Sequence, residues 1–446
     1  MFGLSREWLL HEGRVVPTAL VLSHDEQYVR LAKNCPEALT AALVAGDPCY
    51  DRLTASLPHR SRYRKALGLR PGQQLVLISS TWGTASLFGR HPHLARRLLG
   101  SLPSDEYRVA LALHPNIWHG HGPGQVEAWL ADAVRAGLLV LPPNQGWQAA
   151  VVAADAVLGD HGSVAYYAAA LGRPVVLVRA GRDLVDSASP IAELLDTAVS
   201  YELGTPVEDA LASAHHAQER TTRVARASVS SRPGRSLALI RQAMYRLMDA
   251  EEPAGPPLVE AVPDPVPRPV PPHPALSVTV SRGPTNEYRL RRVPAAALTR
   301  TGDQNGGEAG FLMVWESETD SRLSELADVV VCPSADLPED GDEWCRNVFR
   351  HRAGPRTAAY YDADGCVLHV RSGHEFVCTV ERSEGAFDPE LLVAVLHHRL
   401  VRTAGATTPL EQRTTLRIRA GSDATATVTI TARRPGPQGI RKGPAR

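Results

Sequence analysis

The stretch that decides the fold of this chain lies near its middle, where residues 155–178 read DAVLGDHGSVAYYAAALGRPVVLV. It contains, in order, an apolar strand (Ala156–Leu158), a polar turn (Gly159–Ser163), a helix of small residues closed by Gly172, and a second apolar strand (Val175–Val178). This order predicts a βαβ unit whose turn joins the carboxyl end of a strand to the amino end of a helix.

The polar turn supports two interpretations. Free backbone N–H groups and the positive end of the helix dipole would make it a seat for a phosphate group. Alternatively, it is an ordinary helix start, with Ser163 as the N-cap and Asp160 favoured by the positive helix end. The shape of the turn alone favours the second interpretation, because polar turns of this kind occur throughout α/β proteins.

The flanking sequence extends the same pattern from about residue 74 to residue 179. Short runs of Val and Leu, typical of strands buried on both faces, alternate with amphipathic runs typical of helices. The predicted strands are 75–79, 108–113, 138–141, 156–158 and 175–178, and the predicted helices are 94–102, 125–136, 147–154 and 164–171, with two more at 207–227 and 236–250. The pattern predicts an α/β fold with a doubly wound parallel sheet.

A proline-rich segment follows this region. Residues 253–274 contain ten prolines, and proline has no N–H group to give to a helix or a sheet ladder. The composition predicts an extended, semi-rigid linker, which serves as a spacer rather than as a partner-binding site.

Beyond the linker, shorter strands and fewer helices predict a smaller α+β domain. A hairpin turn is expected at Asp362–Gly365, and an amphipathic helix over Pro389–Val401 with Asp388 as its N-cap. Gly302–Gly307 is expected to be a flexible loop. The predicted boundaries are 1–45, 46–250, 251–275 (linker), 276–432 (α+β) and 433–446 (a disordered tail).

Four short blocks occur in order along the first part of the chain. They are Gly46–Asp51 (GDPCYD), Thr81–Trp82, His114–Pro115 and Gly159–Ser163 (GDHGS). Together they resemble the C-terminal half of the CDP-glycerol glycerophosphotransferases, the teichoic-acid polymerase family with the GT-B fold. That family has a G-x-P-x-x-D block, a T-W-R block, an H-P block and a D-Y-S-S turn. The match covers roughly residues 15–200.

The resemblance implies a nucleotide-diphosphate donor at the carboxyl ends of the strands. His114 matches the family histidine that contacts the donor phosphates, Asp160 matches the aspartate of the turn, and Ser163 matches its second serine. An imidazole and backbone amides can neutralise a pyrophosphate without a metal ion. The substrate-binding residues expected on this basis are Thr81, Trp82, His114, Asp160, His161, Gly162 and Ser163.

This sequence departs from the family pattern at three positions. His161 and Gly162 replace the tyrosine and the first serine of the turn, and Gly83 replaces the arginine after Trp82. The family also has a first Rossmann-like domain that carries the acceptor site and a catalytic histidine. Residues 1–45 are expected to be a remnant of such a domain, or the protein begins upstream of Met1. The catalytic residues are unknown, and the chain is expected to be incomplete as a stand-alone enzyme.

Composition limits the possible partners and the compartment. Acidic and basic residues number 48 each, so no nucleic-acid-binding field is expected. No apolar run reaches the ~20 residues that a membrane span needs, so no integral membrane segment is expected. Peripheral contact with a membrane is left open. Six scattered cysteines are typical of reduced thiols in a cytoplasmic protein. No cofactor and no metal ion are expected, and a homo-oligomer is left open.

A metal site formed by histidines, and a function for the histidines of the second domain, are weaker candidates. His114, His119 and His121 form a cluster, but no acidic or cysteine ligand lies at a regular offset from them, which disfavours a metal site. The adjacent pair His397 and His398 is expected to lie on a helix as packed or surface residues. The second domain offers no recognisable chemistry.

Two hypotheses from different classes therefore remain. The first is a GT-B-like transferase relative that binds a CDP-glycerol-like donor for glycerophosphate or glycosyl transfer. The alternative is a non-catalytic nucleotide- or partner-binding protein built on the donor-binding half of that fold. A sugar-nucleotide epimerase of the same fold is a third option.

Overall fold

The computed structural model describes residues 4–179, 181–202, 204–271, 273–284, 286–298, 310–384, 387–399 and 411–433, except for the side chains of residues 411, 412 and 422–424. The chain divides into two compact units. The first comprises Met1–Leu98, Arg108–Ala131 and Leu138–Pro269, and the second comprises Leu99–Tyr107, Asp132–Gly137 and Val270–Arg446.

The first 66 residues precede the main sheet. Their helices and strands are α1 (Arg6–Leu9), β1 (Leu10–His11), β2 (Arg14–Val15), β3 (Leu20–Leu22), α2 (Asp25–Asn34), β4 (Ala42–Val44), α3 (Pro48–Ala55) and α4 (Arg60–Ala66). Strands β3 and β4 pair in parallel as a separate two-stranded sheet. An apolar cluster that includes Leu22, Leu31 and Cys35 covers this sheet with α2.

A six-stranded sheet forms the centre of the first unit. Its elements are β5 (Gln74–Ser80), α5 (Leu87–Arg90), α6 (Leu94–Ser101), β6 (Tyr107–Leu113), α7 (Pro115–His121), α8 (Pro123–Arg135), β7 (Leu139–Val140), α9 (Trp147–Ala153), β8 (Ala156–Gly159), α10 (Ser163–Ala170), β9 (Val175–Leu177), α11 (Pro190–Thr197), β10 (Val199–Ser200), α12 (Val207–Val229) and α13 (Ser236–Leu247). The strand order is β10-β9-β8-β5-β6-β7. The pairs β10–β9, β9–β8, β8–β5 and β6–β7 are parallel.

The predicted α/β class with a parallel sheet is confirmed, and the βαβ unit is present as β8, α10 and β9. Four elements of this sheet region were missed, namely the helices α5, α7 and α11 and the strand β10. Helix α11 and strand β10 follow β9, and β10 has only two residues, which is too short to show a periodicity. Helix α13 ends at Leu247 rather than at residue 250.

The proline-rich segment forms no helix or strand over the residues described, as predicted. It is nevertheless held by the first unit. The Tyr63 hydroxyl donates to the Val262 carbonyl at 2.7 Å, and the Val262 N–H donates to Ser56 Oγ at 2.9 Å. The Arg268 N–H donates to the Val140 carbonyl at 2.9 Å. Residues up to about 268 are therefore surface structure of the first unit, rather than only a spacer.

The second unit is built on a closed barrel of nine strands. Its elements are β11 (Leu276–Arg282), β12 (Glu287–Pro294), β13 (Phe311–Trp315), α14 (Ser321–Leu326), β14 (Val329–Pro333), α15 (Gly341–His351), β15 (Thr357–Asp362), β16 (Gly365–Val370), β17 (Glu375–Glu384), α16 (Pro389–His397), β18 (Glu411–Ala420) and β19 (Ser422–Arg433). The strand order around the barrel is β11-β12-β18-β19-β17-β16-β15-β14-β13.

Helix α16 belongs to the core of this barrel. Its residues Leu391–Leu396 are at most 4 % exposed and share one apolar cluster with inward-facing residues of all nine strands. The prediction of an amphipathic helix is therefore wrong, because this helix is buried on every side, and an apolar helix needs such an enclosure. Asp388 is its N-cap, as predicted, and accepts from the Glu390 N–H at 3.2 Å.

The sequence predicted strands and helices in the second unit but not their closure into a barrel. It also missed β12, whose outward positions carry Glu287, Arg289 and Arg291. The turn at Asp362–Gly365 joins β15 to β16 as an antiparallel hairpin, as predicted. The expected loop at Gly302–Gly307 and residues 434–446 of the expected tail lie outside the described residues; Arg433 itself ends β19.

Candidate functional site

The topology of the six-stranded sheet places a crevice between β5 and β8. Counted along the chain from β5, the strands stand in the order 3-2-1-4-5-6 across the sheet, so the direction of winding reverses between β5 and β8. In open α/β sheets, ligands bind beyond the carboxyl ends of the strands at such a switch point. The residues that follow β5 and β8 are Thr81 and Asp160.

Two glycines allow these strand ends and α10 to approach closely. A Cβ atom at Gly159 would lie 3.1 Å from the Cβ of Ala165 in α10. A Cβ atom at Gly162 would lie 2.9 Å from Cγ2 of Thr81. Gly162, not Ser163, is the N-cap of α10, so the prediction of Ser163 as the cap is wrong. The backbone of the N-cap residue is extended at this position, and Thr81 lies so close that a side chain on residue 162 would not fit.

Asp160 joins the two strand ends through hydrogen bonds. Its side chain is buried, and Oδ2 accepts from the Thr81 N–H at 2.9 Å, the Thr81 hydroxyl at 2.8 Å and the Leu87 N–H at 2.9 Å. Oδ1 accepts from the Gly162 N–H at 3.2 Å. The carboxylate therefore fixes the loop after β5 against the start of α10.

His114 follows β6 and begins α7. Its Nδ1 accepts from the Asn116 N–H at 3.1 Å, so the side chain caps the helix. Partial burial lowers the pKa of the imidazole, although the Asp160 carboxylate acts in the opposite direction. A neutral imidazole that accepts at Nδ1 carries its proton on Nε2.

A cleft of about 1170 Å³ lies at these strand ends. Six of the seven predicted substrate-binding residues line it, namely Thr81, Trp82, His114, His161, Gly162 and Ser163. The seventh, Asp160, is buried and only 1 % exposed. Among the described residues that line the cleft, none is Asp, Glu, Lys or Arg, and the only titratable side chains are His114 and His161.

Aromatic rings flank this cleft. The side chain of Trp82 is 52 % exposed, and its ring centroid lies 6.3 Å from that of His114. Trp147 stacks on Tyr167 at 6.1 Å between centroids. An exposed indole beside a polar wall offers a planar apolar surface for a flat ligand group.

His161 is held against a glycine. A Cβ atom at Gly181 would lie 2.6 Å from Cε1 of His161, and Gly181 has a φ of +69°. The position therefore requires glycine both for its backbone conformation and for space.

Sequence reasoning missed the wall formed by Pro142–Asn144 and Trp147, and also Leu184. The sequence did contain a signal for the wall at residues 142–144. These residues follow the carboxyl end of β7, as His114 follows the carboxyl end of β6. Leu184 lies in a short 3₁₀ helix after β9, which the sequence pattern did not indicate.

The Gly46–Asp51 block is explained by packing. Gly46 has a φ of +89°, and a Cβ atom there would lie 2.9 Å from the Arg232 carbonyl. The Asp51 carboxylate is buried and accepts from the N–H groups of Gly234 (2.6 Å) and Ser236 (3.1 Å). These contacts join α3 to the start of α13.

The other candidates show no further site. No group of three or more His, Cys, Asp or Glu side chains that could hold a metal ion occurs in the described part of the chain. His397 is buried, and its Nδ1 lies 2.8 Å from the Thr357 hydroxyl. No helix among the described residues is long and apolar enough to cross a bilayer.

Comparison with known proteins gives structural similarity only. No family model matches the chain, and no curated protein matches it. Among solved structures, the chain is similar to the wall teichoic acid polymerase TagF, a variant of which was soaked with CDPG (14% identity, TM-score 0.38, 52% of this chain and 58% of that chain).

Two further structures are similar in the same region. One is UDP-GlcNAc 2-epimerase from Neisseria meningitidis bound to UDP-GlcNAc (14% identity, TM-score 0.33, 51% of this chain and 61% of that chain). The other is WaaG, a glycosyltransferase involved in lipopolysaccharide biosynthesis (18% identity, TM-score 0.32, 54% of this chain and 65% of that chain). The chain thus spans less than two thirds of each structure's length, and no activity is assigned from this similarity.

Proposed function

We propose that the cleft of the first unit binds a nucleotide-diphosphate donor of the CDP-glycerol kind, and that the chain is a GT-B-like transferase relative. The observation that carries this proposal is the convergence of three features on one cleft. The start of α10, His114 and exposed Trp82 all meet at the switch point of the parallel sheet.

The start of α10 provides backbone N–H groups for a phosphate. Among the described residues, no side chain caps this helix, because Gly162 is the N-cap. The first-turn N–H groups and the positive end of the helix dipole therefore face a cleft that has no carboxylate in its described lining. The Ser163 hydroxyl can donate a further hydrogen bond to the same anion.

His114 would contribute a donor from the opposite side. Its Nδ1 is occupied by the Asn116 N–H, which leaves Nε2–H as the donor to a phosphate oxygen. Asp160 would not touch the donor but would position Thr81 and Gly162. Trp82 would stack on the nucleobase, as exposed aromatic rings do in many sites that bind bases.

The test is calorimetric titration of the full chain with CDP, UDP, CDP-glycerol and UDP-GlcNAc. His114→Asn retains an N-cap side chain but removes Nε2–H, so it separates ligand binding from helix stability. Both His114→Asn and Ser163→Ala should weaken binding by about 1–3 kcal/mol, the size of a lost charge-assisted hydrogen bond. His119→Ala, an exposed histidine on the same helix α7, is the matched control and should leave affinity unchanged.

The donor-site proposal is overturned if no CDP or UDP compound binds at millimolar concentration. It is also overturned if His114→Asn and His119→Ala have equal affinities. A donor base preference would appear as a difference between the CDP and UDP titrations.

One observation favours the second candidate, a nucleotide-binding protein without turnover. The only titratable side chains in the described lining of the cleft are two histidines, and one of them already caps a helix. The cleft therefore offers few groups that could act as a general base. An assay for release of the nucleotide from a bound donor distinguishes the two candidates, since binding without release supports the second.

A further inference from the structure

Helix α13 carries an apolar stripe that the rest of the first unit covers only in part. The stripe consists of five side chains that recur every three or four positions and therefore share one face of the helix. They are Leu237, Ile240, Met244, Leu247 and Met248. The last three are between 55 % and 58 % exposed. Among the residues of α13, all of which the structure describes, only Ser236 is buried.

The composition of this stripe is typical of a contact surface. Two of the four methionines of the chain, Met244 and Met248, belong to it. Methionine is frequent at binding surfaces, because its flexible and polarisable side chain adapts to the shape of a partner. A contiguous apolar patch that faces water also costs free energy, so the stripe indicates a surface that another molecule covers.

The spacing within the stripe matches the seam of a coiled coil. Leu237, Ile240, Met244 and Leu247 are separated by three, four and three residues, which is the alternation of the a and d positions of a heptad. In an antiparallel pair of such helices, each a residue shares a layer with a d residue of the other helix. Two copies of α13 can therefore pack Leu237 of each copy against Leu247 of the other, with Ile240 against Met244 between these outer layers.

The charges at the two ends of α13 complement each other in the same register. Arg235 lies two residues before Leu237, and Asp249 lies two residues after Leu247, so antiparallel pairing brings each Arg235 opposite Asp249 of the other copy. Both residues are exposed. Neither side chain has a hydrogen bond or an ion pair among the described residues. A parallel pair would instead place each of these charges beside its own copy, and like charges repel.

From these observations we infer that α13 is a self-association surface, which pairs antiparallel with α13 of a second copy of this chain. A two-fold axis makes such an interface self-complementary, because every contact occurs twice. A membrane surface fits the helix less well. Helices that lie on membranes are rich in Lys and Arg, whereas the exposed end of this stripe is followed by Asp249 and Glu251. None of the residues of α13 lines the cleft of the first unit, so the pairing does not depend on a ligand there.

The test is analytical ultracentrifugation of the full chain over a range of concentrations, which gives the dissociation constant of the dimer. Leu247→Gln should raise this constant about tenfold or more, because the two-fold axis makes each substitution count twice. Leu326→Gln is the matched control, since Leu326 is also the last residue of a helix, α14, and both leucines are 56 % exposed. It should dimerise as the parent does. Because both positions are exposed, both variants should melt as the parent does at concentrations where all three are monomeric.

A charge reversal tests the antiparallel register. Arg235→Glu places a carboxylate opposite Asp249 of the other copy at both ends of the interface, and it should raise the dissociation constant about fivefold. Arg223→Glu makes the same change in net charge at an exposed position of α12 and should leave the constant unchanged. Equal constants for these two variants would overturn the antiparallel pairing.

Two other outcomes would overturn the self-association surface itself. The first is a parent chain that stays monomeric at high concentration, and the second is equal dimerisation of Leu247→Gln and Leu326→Gln. Cosedimentation with phosphatidylglycerol vesicles covers the membrane alternative. A monomeric parent that binds these vesicles, with binding lost in Leu247→Gln and retained in Leu326→Gln, would assign the stripe to a membrane surface instead.

Discussion

At the residue scale, Asp160 shows how a buried carboxylate can organise a site without lining it. Its two oxygens accept from Thr81, Leu87 and Gly162, so two loops depend on one side chain. We expect Asp160→Asn to lower the free energy of unfolding by about 1–3 kcal/mol, because an amide replaces one acceptor with a donor that faces N–H groups. Chemical denaturation measures this change.

The matched control for this variant is Asp183→Asn, at an exposed position of the same unit. It should unfold as the parent does. Nucleotide affinity should fall with Asp160→Asn but not with Asp183→Asn, since only the first frees the loop after β5. Equal stabilities of the two variants would contradict the role of Asp160 as a positioning residue.

The cleft residues also show what single positions reveal in a sequence. Thr81, His114 and Ser163 were predicted as site residues because they lie in blocks that follow predicted strands and resemble the glycerophosphotransferase family, and all three line the cleft. The requirement for glycine at position 162 could not be predicted, because it arises from the contact with Thr81, which is distant in sequence. Local chemistry is visible in the sequence, whereas contacts between loops are not.

At the element scale, Gly46 joins the start of α3 to the segment before α13. Its φ of +89° and the approach of the Arg232 carbonyl exclude a side chain. Gly46→Ala should lower the free energy of unfolding by about 2–4 kcal/mol, from backbone strain and steric displacement together. Denaturant titration gives the value.

Gly68→Ala separates the two contributions to this cost. Gly68 also has a positive φ, of +69°, but a Cβ atom there would meet nothing within 4 Å. It should therefore show only the backbone contribution, about 1 kcal/mol. If both variants lose the same free energy, the close approach to Arg232 is not significant.

Asp155 connects α4 with the amino ends of β5 and β8. Burial raises the pKa of this carboxyl, but hydrogen bonds from the Leu75 N–H, Arg64 and Arg60 outweigh that effect and lower it. A lowered folded-state pKa gives stability that is present above the ordinary value of about 3.9 and is lost as the pH falls through the folded value.

Asp155→Asn should therefore destabilise the protein by about 1–3 kcal/mol at neutral pH. The difference from the parent should shrink below a pH of about 4, as the parent carboxyl becomes protonated. Unfolding curves at several pH values measure this convergence. A difference that stays constant down to acid pH would show that the ion pairs with Arg60 and Arg64 contribute nothing.

At the scale of the whole molecule, the two units differ in how far the sequence predicts them. In the first unit, parallel strands follow one another with helices between them, so apolar runs predict five of the six strands of the sheet. In the barrel, β12 pairs with β18, and the contact between Glu287 and Arg417 spans 130 residues. Periodicity carries no information on such a pairing, so the closure of the barrel could not be predicted.

The last prediction concerns the proline-rich segment, which the sequence presents as a spacer. Its amides fall into two classes in the structure. Val262 is 5 % exposed and donates to Ser56 Oγ, and the Arg268 N–H donates to Val140. Leu258 is 77 % exposed. Hydrogen exchange of the full chain should show slow exchange at Val262 and Arg268 and fast exchange at Leu258, because protection requires local opening.

Tyr63→Phe gives the matched variant for this experiment. It removes the hydroxyl that donates to the Val262 carbonyl and leaves the buried ring in place. Exchange at Val262 should become faster, while exchange in the strands of the main sheet should stay unchanged. Uniformly fast exchange over the segment in the parent protein would show instead that it is a free spacer. Protection at Val262 that is lost together with that of the main sheet would place these residues within the cooperative structure of the first unit.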